Sequence, residues 1–330
     1  MNFFNRYRYA LIAIFAPGSV LAGGFQLNVQ GQKGLAMGGG ATALSCDASS
    51  VYFNPGGLNF LDKKFYFTGG TSLIFPNVSF QTAAVVNDNQ TSPMATPLQI
   101  YATYKASDKI SLGVGVNNQF GSVASFNDDW EGKYIVQKMA LKTFMYQPTV
   151  AYKICDRIGI GAGFVYTTGA FEYKQAVPVA TSSYNNGEAL LSGKGVGFSY
   201  NAGIHGMIIK PDSSRLLNFL KGGISYRSPI KITIGDGTAA FSDISVALQS
   251  QFPAQTNFST QLTLPGVYSF GLLANLKINN KINVDVLFDY NRTLWSSYDS
   301  LKIDFANPTT PDSKSAKNYK DVNAFRLGGS

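Results

Sequence analysis

Two-residue alternation of apolar and polar side chains, repeated in segments of about ten residues, constrains this chain more than any other feature. The clearest segment runs from Ile282 to Asn291. Ile282, Val284, Val286, Phe288 and Tyr290 share one face, Asn283, Asp285, Asp289 and Asn291 the other, and Leu287 is the exception. Tyr268, Phe270, Leu272, Ala274 and Leu276 oppose Ser269, Asn275 and Lys277 in the same way. Leu98, Ile100, Ala102 and Tyr104 oppose Gln99, Thr103 and Lys105, and Ile224, Tyr226, Ile230 and Ile232 oppose Ser225, Arg227, Lys231 and Thr233 as a single strand. Alternation of this length marks a tilted strand of a transmembrane β-barrel, since strands of soluble sandwiches average about 5–6 residues. The even-numbered set from Leu98 to Tyr290 then faces lipid and the odd-numbered set the lumen. Arginine at Val286 is therefore expected to block assembly, and at Leu287 to be tolerated.

The connections alternate too. Ser107-Asp108-Lys109, Cys155-Asp156-Arg157 and Asn279-Asn280-Lys281 are tight turns, whereas residues 81–96, 126–140, 175–194, 235–258 and 296–320 read as long loops. Short turns at the periplasmic end and long loops outside are how outer-membrane barrels are strung together. The segments count to about ten strands. Closure is expected, because an open sheet edge in lipid leaves backbone groups unpaired.

Composition agrees. Charged residues are only 14%, aromatics 13%, and there are 34 glycines, as suits a β-rich chain whose surface partly faces something other than water. Beyond Ala22 no stretch of 18 apolar residues occurs, which excludes an inner-membrane helical bundle. The net charge of +8 is scattered, with no basic stripe, so no nucleic-acid partner is expected. Two cysteines, Cys46 and Cys155, are too few for a disulfide scaffold; whether they pair stays open.

Residues 1–22 read as a secretory signal peptide: Arg6 and Arg8 form the basic region, Tyr9 to Phe15 the apolar region, and Val20-Leu21-Ala22 the cleavage site. Residues 23–60 lack alternation, and nine of these 38 are glycine; a compact hatch plugging the lumen is expected there, followed by a barrel over residues 61–330. The last residues, Ala324 to Ser330, read as a strand just beginning, so the barrel is expected to be incomplete at its C-terminal end.

Several motifs, in order, resemble the FadL-type long-chain fatty-acid and hydrophobic-compound transporters of the outer membrane. They are Gly24-Phe25-Gln26-Leu27-Asn28, Gly34-Leu35, Asn54-Pro55, Asn118-Gln119-Phe120-Gly121, Phe126 to Gly132, Gly197 to Gly203, Ser225-Tyr226-Arg227-Ser228, Leu262 to Pro265, Trp295-Ser296-Ser297-Tyr298 and Lys320-Asp321. The resemblance implies an all-β, antiparallel barrel of fourteen strands, about ten present here, with an N-terminal hatch. It also implies passive uptake of fatty acids or, in some relatives, aromatic hydrocarbons, with ligand leaving sideways beside a kink in the third strand. Partners would be the hydrophobic ligand and outer-membrane lipid, with detergent expected in the lumen of a crystal; no cofactor or metal is implied, and no nucleotide-binding loop is present.

For the ligand itself, Phe25 matches the aromatic set against it, and Asn54-Pro55 matches the hatch turn. Lys174 and Lys320 fall where the family holds the carboxylate, although the arginine expected near Lys174 is not evident. Asn117, Asn118 and Gly121 would form the lateral-exit kink, where the clean alternation from Ile110 to Val116 stops. Ile244, Leu248 and Phe252, with Leu190 and Leu191 from the preceding long loop, form a capture groove or pack the loops on each other. An enzyme on a barrel is disfavoured: serine hydrolysis wants a histidine base, and the single His205 has lumen parity and no partner histidine. A structural barrel or adhesin without transport is the remaining alternative.

Overall fold

In a computed structural model, residues 24–81, 87–179, 186–279 and 281–330 are described. The expected signal peptide, the middle of the 81–96 and 175–194 segments, and Asn280 lie outside the described residues.

Ten strands follow one another in a single antiparallel path: β1 (Phe65–Thr71), β4 (Leu98–Lys105), β5 (Ile110–Asn117), β7 (Lys138–Cys155), β8 (Ile158–Val177), β9 (Gly187–Ile209), β10 (Leu217–Arg227), β13 (Val267–Lys277), β14 (Asn283–Thr293) and β17 (Val322–Gly329). The alternation predicts this architecture, and most of the outward set has the expected parity. Ile100, Leu112, Val114, Tyr146, Val150, Phe164, Phe198, Ile204 and Tyr268 are all exposed, whereas Thr103, Ser111, Thr149, Ser199 and Asn201 are buried on the inner side. Among the described residues no pairing joins β1 to β17. No helix among them is long and apolar enough to cross a membrane.

Three expectations need correction. Residues 224–233 are not one strand: Ser228-Pro229 interrupts them, because proline has no N–H for the ladder. Beyond the break, Ile230, Ile232 and Ile234 are 0%, 1% and 3% exposed, so the even positions turn inward. The expected loop 235–258 is mostly strand. β11 (Ile230–Ser242) pairs with β12 (Gln255–Leu264) and with the upper half of β9, and the helical spacing of Ile244, Leu248 and Phe252 yields only a short 3-10 turn, Val246–Leu248. Likewise residues 296–320 contain β15 (Ser300–Phe305), which pairs with β12, and β16 (Ser313–Ala316). The smaller β2 (Ser79–Gln81) and β3 (Asn87–Asn89) form a hairpin of their own, and β6 (Gly121–Ser125) pairs with β7.

The third correction concerns Leu287. It has lumen parity but is 1% exposed, packed with Met37, Ala43 and Leu273. An arginine there would bury an unpaired charge, so it is not expected to be tolerated.

Residues 31–61 lie along the inner faces of these strands. Cβ atoms built on Gly113, Gly161, Gly203, Gly223 and Gly271 would come within 2.9 Å of Val51, Pro55, Asn54 or Thr42. Each of these glycines has odd parity. The missing side chains are what let the N-terminal segment approach the wall so closely.

Candidate functional site

The turn Asn54–Phe60 fastens the N-terminal segment. Asn54 adopts an extended backbone and its side-chain oxygen accepts from the Gly56 N–H at 3.1 Å, while Pro55 opens the 3-10 helix Pro55–Phe60 with its pre-set φ. The Asn54 amide donates to the carbonyls of Thr42 (2.9 Å) and Ile204 (3.0 Å), tying segment to wall. Ahead of the turn, Leu27 donates to the Gln119 carbonyl at 2.8 Å and Gln26 bridges to Phe120.

That contact lies at a break in the wall. β5 ends at Asn117 and β6 starts at Gly121, yet both pair with β7. Asn118 fills the gap: its side-chain oxygen accepts from Leu98 N–H (2.9 Å), its amide donates to the Thr143 carbonyl, and its own carbonyl accepts from Gln30 (2.8 Å). The predicted kink residues Asn117, Asn118 and Gly121 therefore surround the break. Phe120, within it, is 0% exposed and points inside.

Inside, an aromatic cluster collects around Phe25. Its ring centroid lies 5.1 Å from Trp295, 6.0 Å from Tyr298 and 6.2 Å from Phe120, all edge-on. Leu141, Met145, Val165, Ile230 and Leu264 complete an apolar wall. Burial raises the Tyr298 phenol well above its ordinary range.

Next to this cluster lies a cavity of about 530 Å³ between the N-terminal segment and β10, β13, β14 and β17; Arg227, Asp289, Arg326, Trp295 and Asp321 are among its lining. Arg227 is 6% exposed. Its Nη2 donates to the Tyr52 carbonyl (3.0 Å) and to Gln147 Oε1 (3.1 Å), and its guanidinium sits 4.4 Å over the Tyr52 ring. Its Nη1 has no acceptor among the described residues. Arg326 Nη1 donates to Asn291 Oδ1. Asp289 accepts from Thr42, through both its N–H and its hydroxyl. At the upper margin Asp321 accepts from Ser296 Oγ (2.7 Å) and Arg292 Nη2 (3.1 Å). The Ser296 hydroxyl foremost, helped by its backbone N–H and Arg292, holds that carboxyl below the usual range against the opposing effect of burial.

The two predicted cations lie elsewhere. Lys174 forms ion pairs with Asp128 and Glu188, both at 3.0 Å, and its even parity points it outward. Lys320 is exposed ahead of β17 and does not line the cavity. Lumen parity was the signal for Arg227. It pointed to the buried arginine, which stands in the Ser225-Tyr226-Arg227-Ser228 motif without having been assigned to the ligand.

The capture-groove residues divide. Leu191 is 3% exposed, and Ile244 and Phe252 pack on the same cluster with Phe241, Phe258 and Leu301; Leu190 and Leu248 stay half-buried outside it. Cys46 and Cys155 are free thiols. Burial pushes the Cys46 thiol up to about 11.

Residues 13–330 match the family model described as outer membrane protein transport protein (OMPP1/FadL/TodX). The chain belongs to this family. Among relatives of this outer-membrane transport protein, a Neisseria meningitidis serogroup B protein is 27% identical over 130 residues, or 35% of this chain and 27% of that protein. Outer membrane protein P1 of Haemophilus influenzae is 23% identical over all of this chain and 78% of its own length. Two solved structures share the fold at a TM-score of 0.70. The Pseudomonas aeruginosa FadL homologue has 15% identity, covering 93% of this chain and 77% of that one. The Ralstonia pickettii toluene transporter TbuX has 16% identity, covering 91% and 81%.

Proposed function

We propose that this outer-membrane transport protein carries long-chain fatty acids, or amphipaths like them, passively through its lumen, with the described part of the 23–60 segment acting as the hatch. The observation that carries the reading is the juxtaposition, in one interior, of the aromatic cluster around Phe25 and a cavity bordered by Arg227 and Arg326. An apolar tail needs the first; an anionic head removed from water needs charge-assisted donors such as the second. Arg227, with an unused Nη1, and Arg326 take the place first expected for Lys174 and Lys320. Ligand would leave beside the break at Asn117, Asn118 and Gly121, past Phe120.

An aromatic hydrocarbon is the second reading, favoured by the edge-on ring cluster around Phe25 and by the toluene named for one structural neighbour. Uptake of labelled oleate and labelled toluene by cells with and without the full-length protein separates the two. The fatty-acid reading expects protein-dependent oleate uptake that toluene does not compete. Protein-dependent toluene uptake without oleate uptake would overturn it, and uptake of neither would favour a structural barrel.

A further inference from the structure

The outward face of the barrel has sharply different chemistry at its two margins. On β7 the outward positions Phe144, Tyr146, Val150, Tyr152 and Ile154 are apolar and exposed. They span about 33 Å along the strand, or about 25 Å of bilayer at a tilt near 40°, the height of a barrel's apolar band. On β9 the corresponding run is Val196, Phe198, Tyr200, Ile204 and Ile208. Rings at its upper margin touch from strand to strand: Tyr146 with Tyr166, Tyr166 with Phe198, Tyr200 with Tyr226, and Tyr226 with Tyr268. This is the aromatic girdle of a membrane interface.

The next outward residue above Phe144 is Lys142, and the next above Val196 is Lys194. Both lie opposite Ala170 on the intervening strand, so they share one row with about 10 Å between their Cα atoms. On β11, Lys231 is two residues from Thr233, which pairs with Val196 on this same face. All three lysines are exposed, and none makes an ion pair among the described residues. Of the carboxylates higher up, Glu172 pairs with Lys138, and Asp128 and Glu188 pair with Lys174, while Asp236 is exposed at the bulge of β11. The first charged outward residues above the apolar runs of β7 and β9 are therefore cationic. The opposite margin mixes signs, with Lys153 paired to Asp156 at 3.0 Å.

Adjoining Lys231, across its paired Thr263, a groove of about 300 Å³ lies on the face of β11, β12 and β15. Thr233, Ser259, Gln261, Thr263, Asp304 and Lys302 line it. Hydroxyls, an amide, the Lys302 ammonium and the two carboxylates of Asp299 and Asp304 form a donor–acceptor set suited to sugar hydroxyls rather than to acyl chains.

We infer that Lys142, Lys194 and Lys231 form a binding site on the outer wall for a phosphorylated glycolipid of the outer leaflet. The lysines would take the phosphates, the groove beside Lys231 would take sugar hydroxyls, and the girdle below would take the acyl chains. The three chemistries occur in the order in which such a lipid presents them, at the depth where its head sits. The site lies on the lipid side of the wall, so it is independent of what the lumen carries.

The test uses the full chain folded in detergent micelles, with lipid binding followed by native mass spectrometry. The probes are a bisphosphorylated, acylated glucosamine disaccharide, its dephosphorylated form, phosphatidylglycerol and inorganic phosphate. The combined substitution Lys142→Gln, Lys194→Gln, Lys231→Gln is expected to weaken the bisphosphorylated glycolipid at least tenfold, to the level of its dephosphorylated form. The Lys→Arg triple is expected to keep binding within threefold, and Lys109→Gln with Lys281→Gln, at the opposite end, to change nothing. If the triple Gln variant does not fold, each single variant is expected to weaken binding two- to fourfold. Unchanged affinity in the Gln variants would overturn the site. So would equal binding of phosphatidylglycerol, which marks a general anionic-lipid surface, or competition by inorganic phosphate at equal concentration, which marks a free-anion site.

Discussion

Replacing Gly161 by valine should loosen the N-terminal segment without unfolding the barrel. A Cβ at this position would stand 2.6 Å from the Pro55 carbonyl carbon and 2.7 Å from Pro55 Cβ. Ordinary contact needs nearly 1 Å more, and the crowded atoms are backbone and a proline ring, which cannot swing aside. Overpacking of this kind costs about 1–3 kcal/mol. If the turn moves, the three hydrogen bonds of the Asn54 side chain, to Thr42, Ile204 and Gly56, are also lost, at about 0.5–1.5 kcal/mol each. A shift near 3 kcal/mol changes the docked-to-released ratio by roughly a hundredfold. Gly206→Val on β9 is the matched control, since its Cβ would meet only the Arg157 carbonyl oxygen, at 3.6 Å.

Cys46 reports the outcome. With its thiol pushed up to about 11, roughly 0.1% is thiolate at pH 8, against about a quarter for an ordinary cysteine near 8.5. In a Cys155→Ser background, alkylation of Cys46 at pH 8 should run more than tenfold faster in Gly161→Val than in Gly206→Val. Heat-modifiable migration on gels should be the same for both. Equal alkylation rates would refute the claim that the missing side chain at Gly161 is what seats the segment.

Further outcomes follow from single contacts. Val114→Arg places a cation at an outward position that is 58% exposed, costing about 2–4 kcal/mol near the bilayer midplane; membrane insertion should fall sharply, whereas Val114→Leu should insert normally. Leu287→Arg should also fail to assemble, through a buried charge against Met37 and Ala43, and normal insertion would show that the lumen is open there. The lowered carboxyl of Asp321 contributes stability that is full above the ordinary aspartate range near 3.9 and is lost as pH falls through its still lower folded value. Trp295 fluorescence, in a Trp130→Phe background, should therefore change below about pH 4, and Asp321→Asn should abolish that change.

The barrel was legible because lipid outside and polar lumen inside impose a period of two on every strand they share. Legibility failed where that environment ends. Beyond Ser228-Pro229, β11 leaves the path of β10, and Ile230, Ile232 and Ile234 turn inward to fill the interior, so the parity read from β10 does not carry across the break. Leu190 and Leu191 read as loop because β9 outruns the bilayer and pairs with β11 there. The site was legible in part. Phe25 and the turn at Asn54-Pro55 sit inside, and the alternation fades at Asn117 where the wall breaks. Lys174, by its own even parity, pointed away from the lumen, and Arg227, by its odd parity, pointed into it. Odd-numbered glycines from Gly113 to Gly271 also marked the track of the N-terminal segment, a signal visible only once strand parity is applied to residues that have no side chain.

Binding of oleate, methyl oleate and toluene to the full-length protein in detergent, before and after Arg326→Met, addresses the central claim most directly. Arg326 is chosen because Arg227 also anchors Tyr52, so its loss would disturb the segment. A charge-assisted hydrogen bond contributes about 1.5–3 kcal/mol. Oleate is expected to lose at least tenfold in affinity, while methyl oleate changes less than threefold and toluene does not compete. Equal losses for oleate and methyl oleate, or no loss for either, would contradict an anionic head recognised in this cavity.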